Sequence, residues 1–201
     1  MAVLGKLLFH SSDRVTLSDV LRHQGEQLRD DVDALPESLF STRSDEEIAA
    51  QVAQKRALVP ITVDLAAVVA NVSEIQIQVA DQFGFDRGTV QVAGLRATKS
   101  IPFAGNADLW RRCPSRHNLN PPRGEVREGK LIVGMEVTAQ QSDEAVRYMA
   151  DAIAGVREYL EWQEAEIVEG NGSLPSQALQ WVRNRRQRLS SASDLLKKLG
   201  G

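Results

Sequence analysis

The C-terminal region, residues 140–201, constrains this chain most. Val146, Met149, Ile153, Val156, Leu160 and Ile167 recur at intervals of three, four, three, four and seven, with Gln163 in the gap. That spacing puts one apolar stripe along one side of a helix, in the manner of a heptad seam. Ser142 stands where an N-cap belongs. Gly170-Asn171-Gly172 then supplies residues that end helices, and Ser173-Leu174-Pro175 reads as a new start. Leu179, Val182, Leu189, Leu196 and Leu199 form a second stripe, interrupted by Arg186. Residues 142–170 hold eight acids against two arginines, whereas residues 173–201 hold six bases against one acid. A tight turn between helices of opposite charge predicts an antiparallel helical hairpin. Burial of the shared seam would stabilise it, at about 25 cal/mol per Å2, and exposed charge pairs of about 0–1 kcal/mol would select the register.

The rest of the chain changes period twice. Thr16 with Asp19, and Ser44 with Glu47, mark two helix starts. Leu17, Val20, Leu21, Leu28 and Val32 supply one face before Pro36, and Ile48, Val52 and Leu58 another before Pro60. Ile75, Ile77 and Val79 then alternate with glutamines, and Val90 and Val92 continue the alternation after Asp86-Arg87-Gly88. That is the pattern of half-buried strands joined by a turn. Gly94 predicts a bulge before a further stretch from Leu95 to Phe103. Glu125 to Val137 reads as a hairpin turning at Glu128-Gly129, with Leu131, Val133, Met135 and Val137 on one face. The expected fold is α+β: an N-terminal helical segment over 1–58, a mainly antiparallel sheet of four to five strands with a long proline-rich loop over 59–139, and the helical hairpin over 140–201, together one compact unit.

Composition narrows the function classes. The net charge of -3 gives no global pull toward nucleic acid or anionic membrane. The lone Cys113 excludes an internal disulfide and suits a reducing compartment. No apolar run approaches the roughly 18 residues of a membrane span. MAVLGKLLF is too short and too weakly basic for a signal peptide. The cytoplasm is the expected location. The scattered His10, His23 and His117 and the single cysteine do not make a zinc site. Gly84, Gly88 and Gly94 lack the spacing of a phosphate-binding or dinucleotide loop. No cofactor or metal is expected.

The loop between Phe103 and Gly124 concentrates the remaining chemistry. Pro102, Pro114, Pro121 and Pro122 oppose regular structure, while Phe103, Leu109, Trp110 and Leu119 are expected to anchor the loop on the sheet. Cys113 and His117 stand close enough to make a nucleophile and base, but Pro114 and the lack of an orienting carboxylate argue against an enzyme. Trp110, Arg111, Arg112, Arg116, His117 and Arg123 form the expected binding face, for a partner, a phosphate or a nucleic acid. The alternative is a solvated basic loop, or one paired with the acids of the following helix. The run Arg183 to Arg188 is read as a solvated or ion-paired face, with nucleic-acid binding as the rival.

IPFAGNADLWRRCPS, NPPRGEV, KLIVGMEVT, EGNGSL and VRNRRQRL, between about Ile101 and Gly200, resemble the N-terminal region of bacterial multidomain proteins. Those proteins carry a restriction-endonuclease-like nuclease or a Toll/interleukin-receptor-like effector domain and are suspected in defence against phage. The resemblance implies a sensing, regulatory or oligomerising part, either cut from an effector or working beside one. A homo-oligomer is expected from the long helical hairpin. Self-association is expected along Val146, Met149, Ile153, Val156, Leu160, Ile167, Leu179, Val182, Leu189 and Leu196.

Overall fold

A computed structural model describes residues 1–10, 12–80 and 89–200. The expected turn at Asp86-Arg87-Gly88 lies outside them. The α+β class holds. Contacts divide the chain into two compact units: Met1–Arg14 with Pro60–Gln163, and Val15–Val59 with Glu164–Gly201.

The first unit is built on an antiparallel sheet of seven strands. These are β1 (Ala2–Val3), β2 (Lys6–Leu7), β3 (Thr62–Val63), β4 (Val69–Ala80), β5 (Thr89–Ala104), β6 (Arg123–Arg127) and β7 (Lys130–Val137). The sequence suggested four or five. The additional strands are the two-residue β1, β2 and β3, too short to leave an alternation. The order runs β2-β6-β7-β5-β3, with β1 on β7 and β4 on β5. β6 and β7 meet through Glu128 (φ 50) and Gly129 (φ 70). Positive φ at both positions matches the right-handed twist of the flanking strands, and the second is the place glycine fills without strain. Leu131, Val133, Met135 and Val137 are all buried, as their alternation requires. Gly94 makes no bulge: Ile75↔Gly94 falls within an unbroken register from Val69↔Ser100 to Ala80↔Thr89. Its missing side chain makes room for Ile77, whose Cγ2 would lie 2.9 Å from a Cβ there.

One continuous helix, α4 (Ser142–Leu199), replaces the expected hairpin. It opens after a 3-10 turn, Ala139–Gln141, where Gln141 Oε1 accepts from the Thr138 backbone N–H and hydroxyl. Thr138 thus stands outside the helix where Ser142 was expected to. In the first unit, Ala145 and Met149 of α4 pack on Ala97, Met135 and Val137 of the sheet.

The second unit is helical. It contains α1 (Leu17–Asp33), α2 (Glu37–Thr42), α3 (Asp45–Arg56) and α4 from Glu164 onward. Both expected capping boxes form, at Thr16 with Asp19 and at Ser44 with Glu47. Leu28, Val32, Phe40, Ile48, Val52, Leu174, Ala178 and Val182 make the core. The helix therefore survives its own breakers because non-local contacts hold them. Leu21 packs against Gly170, where a Cβ would meet it at 2.7 Å. The Asn171 side chain accepts from Leu58 N at 2.9 Å and donates to Leu58 O at 2.9 Å. Ser173 Oγ donates to Gly170 O at 2.7 Å, one turn before Pro175. The basic charges also find other partners. Arg183 meets Glu46 at 3.2 Å, Arg186 meets Asp45 at 2.6 Å, and Arg185 and Arg188 meet Asp33. Arg186 further donates to Phe40 O and Arg43 O, so its break in the stripe is an anchor to α2 and its exit.

Candidate functional site

The loop of residues 105–122 is folded onto the sheet and onto the first part of α4. Asn106 Oδ1 accepts from Asp108 N at 3.0 Å and starts a 3-10 turn, Ala107–Arg111. That turn drives Leu109 and Trp110 into the core. Trp110 is 2% exposed and packs against Phe9 and, edge-on at 82°, Phe103. Phe9 in turn stacks on Tyr159 at 4.8 Å. Gln163, buried, donates to Leu109 O at 2.9 Å and Arg112 O at 2.6 Å. This amide is the polar residue in the gap of the apolar stripe, and it ties down the Arg112 carbonyl and adds a second bond to the Leu109 carbonyl, which also accepts from Arg112 N at 3.0 Å. Tyr159 Oη donates to Asn118 O at 2.9 Å and accepts from Asn118 N at 3.3 Å. Burial pushes its phenol up from the usual tyrosine range.

These placements separate the expected binding residues. Trp110 belongs to the core, so it offers no face to a ligand; a large apolar ring in a sheet-packed turn is removed from water. Arg112 pairs with Asp13 at 3.2 Å. Arg111, Arg116, His117 and Arg123 are exposed. Arg116 lies over the Trp162 ring at 5.1 Å, which occupies that π face. Leu119, expected as an anchor, is 99% exposed at the loop tip. Cys113 Sγ and His117 Nδ1 both lie on one acceptor, the Pro114 carbonyl, at 3.5 and 3.2 Å. An Nδ1 that donates there cannot take a proton from the thiol. Among the described residues no group of three or more His, Cys, Asp or Glu is placed to hold a metal ion. No described helix is long and apolar enough to cross a membrane.

The expected assembly stripe is also divided. Met149, Val156, Leu160 and Ile167 are buried, Ile153 is half-buried, and Val146 is exposed. Val182 lies in the helical core with Leu179 and Leu189 against it. Beyond Leu189 the helix is bare: Leu195, Leu196 and Leu199 are 57%, 70% and 74% exposed.

Sequence reasoning missed a second surface. Among the described residues β4 pairs only with β5, and no described strand lies on its outer edge. Its alternation was legible, but the absence of any Lys, Arg, Pro or Gly along Val69–Ala80 is the signal that marks an unguarded edge. A surface hollow of about 480 Å3 adjoins it, lined by Glu74, Ile75, Gln76, Ala93, Gly94, Leu95 and Ala139.

No protein-family model, curated protein or solved structure matches the chain.

Proposed function

We propose that the chain is a non-catalytic regulatory and assembly module that self-associates and controls a fused or partner effector, such as a nuclease, in the kind of bacterial defence system its sequence resembles. The observation that carries this reading is the uncovered leucine stripe at the end of α4. Leu189, Leu196 and Val182 stand seven residues apart, and Ala192 and Leu199 follow three residues behind Leu189 and Leu196. That is an a/d seam, the pattern by which like helices pair. The seam leaves the core at Leu189 and continues for a further three turns with its leucines in water. Burying each leucine is worth about 1.5–3 kcal/mol, which favours a second copy of the same seam. Light scattering and sedimentation over a hundredfold concentration range test it. Wild type is expected to associate, and Leu196→Lys with Leu199→Lys to be monomeric with unchanged helicity. A wild-type chain that stays monomeric throughout would refute the reading.

A second reading, phosphate or nucleic-acid binding, is favoured by the exposed guanidinium groups of Arg111, Arg116 and Arg123. It requires an affinity for oligonucleotides that falls steeply with salt and drops further in Arg111→Ala and Arg123→Ala.

A further inference from the structure

From the open edge of β4 we infer a strand-addition site for an extended segment of a partner protein that carries a lysine or arginine opposite Glu74. This deepens the assembly reading by giving the partner a chemistry, and its physical basis is independent of the leucine seam.

β4 is twelve residues long, about twice the usual strand. Its pairing with β5 uses one edge; on the other, roughly half its residues turn both backbone groups outward. Beyond Leu95, towards the Thr89 end, β5 pairs with β4 alone among the described residues, so this part is a two-stranded ribbon there. Val69 and Val72, on opposite faces, are 64% and 62% exposed. Those two valines lie at the start of β4, opposite Ser100 and Ala97; within the ribbon Ile77 is buried. Proteins normally guard such an edge with lysine, proline, a bulge or a short strand. β4 has none of these, and its register is unbroken. It is rich instead in valine and isoleucine, which favour pairing.

The hollow supplies selectivity. In strand addition, main-chain bonds give affinity and pockets for alternate side chains give specificity. Here Ala93, Leu95 and Ala139 give the lining its apolar part, and Glu74 and Gln76, opposite Leu95 and Ala93 on the same face, bring polar groups. Glu74 is the only charged residue of β4, is exposed, and joins no ion pair among the described residues. A long side chain with a methylene stem and a cationic head fits an apolar floor beside a carboxylate. A second copy fits worse. Two β4 edges paired about a twofold axis would put both carboxylates on one seam with no cation between them.

The test uses the full chain, labelled with nitrogen-15, and the blocked peptide Thr-Val-Thr-Val-Arg-Val-Thr-Val-Thr, with versions carrying glutamate or proline in place of arginine. The arginine peptide is expected to shift and protect the amides of residues 69–78, at least tenfold more tightly than the glutamate peptide. The proline peptide is expected to bind weakly, and Glu74→Lys to reverse the charge preference. Equal binding of the arginine and glutamate peptides, no binding at millimolar concentration, or β4 amides already protected by a β4-linked dimer would each overturn the inference. Monomeric Leu196→Lys/Leu199→Lys protein must give the same titration, so a failure of self-association and a failure of this site are read separately.

Discussion

Asn171 is where local preference and tertiary contact predict opposite signs. Replacing it with alanine improves intrinsic helix propensity by about 0.6 kcal/mol. It also removes both hydrogen bonds to the Leu58 backbone, each 2.9 Å long and partly buried. At about 1 kcal/mol per bond, that loss is about 2 kcal/mol. The clamp outweighs propensity, so Asn171→Ala should destabilise the protein by about 1.4 kcal/mol, or about 3–5 °C in Tm for a chain of this length. Gly172→Ala is the control. A Cβ there meets nothing within 4 Å, so only propensity acts, and stability should rise by about 0.8–1 kcal/mol. Urea titrations followed by far-ultraviolet circular dichroism measure both changes, and hydrogen exchange at the Leu58 amide locates the first. An Asn171→Ala protein as stable as wild type, with Leu58 exchange unchanged, would refute the claim that this clamp holds the helix through its Gly-Asn-Gly segment.

Gln163→Leu should cost about 1 kcal/mol, because Arg112 O loses the amide donor while Leu109 O keeps the Arg112 N–H at 3.0 Å. The loosened loop should be cut faster by trypsin after Arg111 and Arg112, which a timed digest reads directly. Asp31 and Arg56 form a shielded pair, including an Arg56 Nη2 to Asp31 Oδ1 bond of 2.7 Å. The Arg56 hydrogen bonds hold the Asp31 carboxyl below the ordinary 3.8. A carboxyl lowered on folding stabilises above its unfolded value, and that contribution is lost as pH falls through the folded value. Asp31→Asn should therefore lose about 1–2 kcal/mol at pH 7, and the two proteins' urea midpoints should draw together as the pH falls below 3.8.

Elements read correctly from sequence share one property: short-range geometry specifies them. The capping boxes at Thr16 and Ser44 need only a side chain that reaches three residues along. The β7 face needs only alternation, and the turn at Glu128-Gly129 only two residues that accept positive φ. The short helix α2, the strands β1 to β3 and the anchoring of the 105–122 loop left no such mark. Each depends on residues far away in the chain, such as Lys6 against Gly124 or Gln163 against Leu109. The same limit governs the candidate site. A tryptophan among arginines reads equally as a stacking platform or as a core residue. Only the packing of Phe9, Phe103 and Tyr159 decided that Trp110 is core.

By itself the sequence determined that the C-terminal region is helical, that its halves carry opposite charge, and that a strongly helix-breaking segment lies between them. It could not determine which partners those halves meet. Charge and apolar spacing state what kind of surface a helix presents, not which surface lies against it. Tertiary structure set Ala145 and Met149 of the acidic half on the sheet and paired the basic half with Asp33, Asp45 and Glu46. It also carried the helix unbroken through Gly170, Asn171, Gly172 and Pro175. The reason is energetic: a few kilocalories of local preference are overridden when Leu174, Ala178 and Val182 bury into a core that no window of neighbouring residues contains.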